Sequence, residues 1–393
     1  MPRTGLSARM HTETGVLVVA YAALSAKLVF ALVSAGSNDV GTFLRFGTFI
    51  RSEGLGAMYR ADPSFNHLPL TALFCAVIAP LHSFPFWLRL PGIIADLVSV
   101  KTLLRLQRSE QLMPWWSLAL LAASPVSILV SGFHGNIDPI MTMALVLAIE
   151  AVVNDRPVRC AVWLALAVNI KVAALLLAPL IVLIWWHRRR SHAFVPTFIG
   201  ITLLGWAPGL IAAPREFVDQ VLGYSSLWGS WGFTYLAQRT GGASLQAPVG
   251  AEDLSSLGST IVTILKLTII VSALALAWHH RTATGRQVWR AVALTWAVFF
   301  LFAPGIGPQY LVWLAPFVLV ASPCGYALVT AASSFSLVVV YGITSQWHFE
   351  FSHFTEVGRN QWIPWTLPAW VAISTWALCE LRTGSSPLRG SRH

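Results

Sequence analysis

Long apolar runs, most of them about the length of a membrane-crossing helix and closed by a short basic or polar cluster, alternate along the chain. The first, residues 15–36, comes after Arg3 and Arg9. It is longer than the roughly 7–15-residue core of a signal peptide, so a retained helix is expected even though small residues stand at 33–36. Further crossings are predicted over 93–106, 115–132, 139–153, 161–186, 194–213, 257–278, 288–302, 310–321, 326–344 and 363–381. None alternates with the period of a membrane β-strand. The expected fold is therefore all-α: one polytopic membrane domain over residues 1–393, with about 10–12 segments of the required length.

Two stretches break this pattern. Residues 37–70, read as the first external loop, are polar at both ends, from Asn38 and Asp39 to Asn66, His67 and Pro69. Between them Phe43, Phe46, Phe49 and Ile50 recur at helical spacing among Arg45, Arg51 and Glu53, which predicts an amphipathic helix in the interface plane over 40–59. The second break is Asn169 and Lys171 in the middle of the apolar string 161–186. Residues 68–80 are apolar but short, and Pro85, Pro91 and Gly92 interrupt the stretch between them and Ile93. The remaining divisions are a helical module over 71–213, an external loop over 214–256 and C-terminal helices over 257–393.

Composition narrows the class. The chain is 56% hydrophobic and 11% charged, against about 25% charged in soluble domains. The net charge of +10 does not point to nucleic acid, because the basic residues cluster at the ends of apolar runs and read as topology determinants. Cys75, Cys160, Cys324 and Cys379 have no paired spacing, so neither a disulfide framework nor a zinc site is indicated.

If the basic ends at 105/108, 156/159, 188–190, 281/286/290 and 382/389 share the cytoplasmic side, the string carrying Lys171 must enter and leave on that side. It then consists of two short helices meeting near residues 169–171. By the same parity residues 68–92 dip into the membrane and return before the helix starting at Ile93 crosses. Asp39, His67, His134, Asp138, Lys171, Gln309 and the loop with His348 and His353 all fall on the external side.

An ionisable residue inside a membrane costs about 2.5–3.5 kcal/mol on insertion scales, so it faces a cavity or a partner. Lys171 thus either pairs with Asp96, Asp138 or a helix C-terminus, or binds an anionic phosphate. Lys27 and Asp96 read as structural partners. Asp39 is a loop residue or helix cap unless something else marks it out, and Asn136 and Asp138 suit the cap of the next helix. Gly135 permits an unusual turn or close approach. No metal spacing and no nucleotide loop is present.

The order of local strings is more specific than any one of them. SNDVGTF, FNHLPLTALF, SPVSILVSGFHGNIDPIMTMAL, LALAVNIKVAALLLAPL and GIGPQYLVWLAPFVL resemble, in this order, segments of the GT-C superfamily of membrane glycosyltransferases that use polyprenyl-phosphate sugars. The closest shapes are bacterial and archaeal mannosyltransferases. The resemblance implies an inverting transfer with Asp39 as the base. The donor phosphate would be met first by Lys171, and more weakly by His134, His67, Gln309 and Tyr310, with Asn38, Asn136 and Asp138 in support. It also implies a multi-pass protein of the bacterial plasma membrane acting on its external face, with a polyprenyl-phosphate sugar, a lipid-linked or envelope glycan acceptor and membrane lipids as partners. No cofactor is expected. Asn38 stands where the family often has a second acidic residue, which gives a divalent metal no support. Two rival readings are a transporter or flippase of a lipid-linked or anionic solute, and an envelope-polysaccharide polymerase or ligase.

Overall fold

The computed structural model describes residues 3–224, 228–246, 254–354 and 356–384. The first apolar run forms α1 (Arg3–Val33) and leads into the two-residue strand β1 (Gly36–Ser37). The polar stretch becomes α2 (Asn38–Glu53) and α3 (Leu55–Ala61), broken by Gly54 at φ +90°. Phe43, Phe46 and Ile50 are buried on one face of α2, as their spacing predicts. The short apolar run is α4 (Pro69–Ile78). At 1.5 Å per residue it spans about half of a bilayer core, and it packs on α2 where Gly47 meets the Cys75 carbonyl; a Cβ at Gly47 would lie 2.4 Å from that oxygen.

Several boundaries differ from those expected. The next helix, α5 (Phe84–Glu110), starts nine positions before Ile93 and runs through Pro91. Pro85 sits in its first turn, where a missing N–H costs nothing. The run at 115–132 is likewise divided into α6 (Trp115–Ala122), α7 (Pro125–Ser127) and a π-helical turn over Ile128–His134, with Pro125 at the break. Then come α8 (Asp138–Val153) and α9 (Pro157–Ile170).

At Lys171 the backbone turns extended (φ −148°, ψ 122°) before a 3₁₀ segment, Val172–Leu177, and α10 (Ala178–His187). The chain doubles back here. Asp155 at the foot of α9 lies 3.1 Å from Arg190 and 3.7 Å from Arg188 at the foot of α10, and Arg188 donates to the Val152 carbonyl at 2.6 Å. The two basic ends are therefore on one face and Lys171 is the tip of a hairpin, as the charge pattern requires. Asn169 braces the tip by donating to the Ala165 carbonyl at 2.9 Å, and Gly205 leaves it room.

The chain continues through α11 (Ser191–Ala212), α12 (Pro214–Phe217), α13 (Gly232–Thr240), α14 (Ser256–His279) and α15 (Arg286–Phe302). The predicted crossing at 310–321 is instead a 3₁₀ turn, Pro308–Val312, and a seven-residue α16 (Ala315–Ala321), too short to cross. Pro308 and Pro316, each at the start of its segment, explain the division. Last come α17 (Pro323–Thr344), the strand β2 (Phe351–Ser352), α18 (Arg359–Trp362) and α19 (Leu367–Gly384).

Side chains of α8, α9, α15 and α16, such as Met141, Leu164, Val292 and Val318, are fully buried and form the centre. On α11 and α14 large apolar residues face outward, Leu204 at 75% and Val271 at 63% exposure. Such a surface is stable only if lipid covers it. Five helices among the described residues are long and apolar enough to cross a membrane: Thr12–Val33, Trp115–His134, Ser191–Ala212, Ser256–His279 and Pro323–Thr344. Inside the apolar part Lys27 lies 2.6 Å from Asp96, which also accepts from Ser127 at 2.7 Å, an ion pair that reads as structural.

Candidate active site

Two tight loops set the site. Gly36 has φ +88°, and a Cβ there would collide with the Arg89 guanidinium; Gly135 has φ +83° and meets Val40. Only glycine serves at both. Arg89, fully buried, donates to the Ser34 carbonyl at 2.9 Å and to Ala31 at 3.3 Å, so it closes the carbonyl end of α1 beneath both loops. Ser37 donates to the His134 carbonyl at 2.9 Å. β1 pairs in parallel with β2, Gly36 opposite Phe351 and Ser37 opposite Ser352.

This framework places Asp39 in the first turn of α2, beside the turn after the π-helical segment. Its Oδ2 lies 3.0 Å from His134 Nε2 and accepts from Asn136 Nδ2, also at 3.0 Å. Its Oδ1 makes no hydrogen bond to a described residue, and a third of the side chain is open to a cavity. Burial pushes the Asp39 carboxyl up, but the field and hydrogen bonds of His134, Asn136 and His67 outweigh it and hold the group below the usual carboxylate range. The result is an ionised carboxylate with one oxygen held and the other free to take a proton.

Asn136 and Asp138 do not cap α8. Asn136 binds the backbone N–H of Ile137 and reaches Asp39, while the cap residue is Ile137, without a side-chain bond. Asp138 is fully buried and accepts from Lys171 at 2.9 Å and from Trp313 Nε1 at 2.6 Å. Lys171 therefore does have a carboxylate partner, Asp138. It still reaches the cavity, with its Nζ 3.9 Å from the centre of the Tyr310 ring.

The cavity, about 570 Å³, brings together Asn38, Asp39, His67, His134, Asn136, Lys171, Gln309 and Tyr310. Asp138 stands behind Lys171 and is not in its wall. His67 lies among the rings of Phe43, Phe46 and Phe65, and burial together with the nearby Lys171 charge pushes its imidazole down to about 4, against a weaker opposing pull from Asp39. The Asn38 Oδ1 and Gln309 Oε1 atoms are buried and have no hydrogen-bond donor. His348 and His353 do not reach the cavity; His353 instead lies 2.9 Å from Glu356. The sequence pattern alone does not point to Trp313, Lys266, Phe354, Arg359 or Trp362. Only the order of contacts in space connects the last three to Asp39. Among the described residues no three His, Cys, Asp or Glu side chains come together as metal ligands would.

The sequence pattern of glycosyltransferase family 87 matches residues 69–304. The chain belongs to this family. Glycosyltransferase family 87 is a GT-C-type family of membrane glycosyltransferases, so the GT-C resemblance is confirmed and the protein is a multi-pass membrane enzyme that transfers a sugar from a donor to an acceptor. No curated protein matches the chain. The family-87 match covers His134, Asp138 and Lys171, starts after Asp39 and ends before Gln309, so the cavity contains residues from both inside and outside the matched region.

Proposed function

We propose that the enzyme is an inverting transferase that moves one hexose, mannose by the closest resemblance, from a polyprenyl-phosphate donor to a lipid-linked or cell-envelope acceptor on the external face of the membrane. The observation that carries this reading is that Asp39, with its free Oδ1, and Lys171 line the same cavity. A carboxylate ready to take a proton and a cation ready to meet a phosphate are the two groups the reaction needs.

Asp39 accepts the acceptor's hydroxyl proton as that oxygen attacks the anomeric carbon, and the bond to the donor phosphate breaks on the opposite face, in an arrangement comparable to inverting glycosidases. His134 and Asn136 fix the carboxylate through Oδ2, so that Oδ1 is the oxygen that works. The unpartnered oxygens of Asn38 and Gln309 are ready acceptors for sugar hydroxyls. A polymerase or ligase built on the arginines of the 214–256 loop is less well supported, since neither Arg215 nor Arg239 lines the cavity and Arg215 lies 3.7 Å from Asp219.

The test is reconstitution of the full chain in liposomes with a polyprenyl-phosphate mannose, a polyprenyl-phosphate glucose and the corresponding nucleotide sugars. Transfer from a lipid-linked donor is expected. Transfer from a nucleotide sugar alone overturns the reading. Mass spectrometry of membrane lipids with and without the protein then identifies the acceptor by the loss of one hexose.

A further inference from the structure

Three cations line the cavity, and they differ in what already holds them. Lys171 lies 2.9 Å from the carboxylate of Asp138, so that pair is neutral overall. Lys266, on α14, donates to the Gly223 carbonyl at 3.4 Å. The carbonyl of Arg359, the first residue of α18, accepts from the Ile363 N–H, but its side chain makes no hydrogen bond or ion pair with any described residue.

The place of Arg359 is built, although its side chain is not yet engaged. The β1–β2 pairing ties the segment that precedes α18 to the loop that carries Asp39. The Phe354 ring then lies 5.9 Å from the His134 ring and 5.4 Å from that of Trp362, at the end of α18. Arg359 thus lines the same cavity as Asp39 and Lys171, one turn before Trp362. A guanidinium facing a largely apolar wall gains most from a fork of phosphate oxygens, which it binds through two parallel hydrogen bonds.

We propose that Arg359 binds the phosphate of the lipid-linked donor and meets the second negative charge that appears on it as the sugar leaves. This rests on the donor class proposed above. In the transfer, the acceptor O–H gives its proton to Asp39 and its oxygen forms the new bond to the anomeric carbon. The pair of electrons in the bond between that carbon and the phosphate oxygen stays with the oxygen. The donor diester carries one charge and the departing polyprenyl phosphate carries two. Lys171, balanced by Asp138, can hydrogen-bond the phosphate without adding net charge, whereas Lys266 brings its charge as a single point and only Arg359 offers one as a two-pronged fork.

The experiment uses the full chain in phosphatidylcholine nanodiscs and monitors tryptophan fluorescence as farnesyl phosphate or farnesol is added. The wild type is expected to bind the phosphate about tenfold or more tighter than the alcohol, the size of one charge-assisted hydrogen bond. Arg359→Gln should lose that preference while its farnesol affinity and melting temperature stay unchanged, and Arg359→Lys should keep part of it. An Arg359→Gln protein that still discriminates overturns the proposal. So does displacement of farnesyl phosphate by phosphatidylglycerol at equal concentration, which makes this a headgroup site. A wild type without preference for the phosphate overturns instead the polyprenyl-phosphate donor, a separate result.

Discussion

Asp39 Oδ2 and His134 Nε2 stand 3.0 Å apart although 95 positions separate them in the chain. The contact divides the two carboxylate oxygens by task. Oδ2 is held by the imidazole and by Asn136, and Oδ1 is open to the cavity. His134 is itself clamped, 1% exposed and in contact with the rings of Tyr341 and Phe354. Asp39 is therefore held at a fixed angle before any substrate enters, which is the preorganisation a general base needs.

Replacing Asp39 by Asn keeps the shape and removes the proposed base. Asp39→Asn is expected to lower sugar transfer by about 10²–10⁴-fold, the usual contribution of a positioned base. The melting temperature should change little, since the amide still meets Asn136 and His134. Steady-state transfer from a reconstituted lipid-linked donor checks it, and full turnover in the variant removes Asp39 from the mechanism.

His67 makes the fold sensitive to acid. Its imidazole titrates at about 4 in the folded protein instead of 6.5. Above pH 6.5 it is neutral in both folded and unfolded chains and costs nothing. As pH falls from 6.5 toward 4 the unfolded chain takes up a proton that the folded one refuses, so stability drops by up to about 3 kcal/mol. His67→Phe preserves the ring contacts with Phe43, Phe46 and Phe65 and should flatten the melting temperature across that window. Asp39 acts at lower pH, because its depressed carboxyl loses its contribution only as pH falls below the ordinary value of 3.8.

Much of this site was legible in the sequence because charge inside an apolar run is hard to hide. Lys171 in a long apolar string with arginines at both ends required a hairpin, and Asp155 joins its two feet. Asp39 was legible from its place after the first crossing together with the family-like strings around it. What escaped is tertiary. Arg359 and Phe354 reach the cavity because a two-residue strand pairs with Gly36–Ser37, and two residues carry no readable period. In the sequence Asp138 suits a cap or an ion pair equally, because Trp313, the second donor that holds it, stands 175 positions away. The start of α5 is not legible because Pro91 reads as a breaker, whereas packing carries the helix through it.

The Lys171–Asp138 pair should act as a unit. Asp138→Asn leaves the Lys171 ammonium without its counter-charge, and Lys171→Met leaves a fully buried carboxylate. Each single change is expected to cost about 3–5 kcal/mol, the range for breaking a buried pair. The double variant should recover a large part of that loss, because neither charge is then stranded. Thermal unfolding in detergent of the four proteins of the cycle measures the coupling. Additive losses would mean that Trp313 alone holds Asp138 and that Lys171 is available to the donor phosphate unpaired.

The hairpin makes a topological statement that labelling can check. Both feet of the Lys171 hairpin meet at Asp155, so a thiol placed before α9 and one placed after α10 must lie on the same side of the membrane. The start of α5 lies beside the carbonyl end of α1, which Arg89 closes, whereas the far end of α5 meets the opposite part of α1 through Arg108 and Glu13 at 2.8 Å. His82 therefore lies on the other side from Arg108. Cys324 and Cys379 are exposed and must first be changed to Ser. In that background Arg156→Cys and Arg189→Cys should react with an impermeant maleimide from one face and His82→Cys from the other. Opposite labelling of the two hairpin feet would mean that residues 157–187 cross the membrane once. Lys171 would then sit near mid-membrane instead of at the tip that lines the Asp39 cavity.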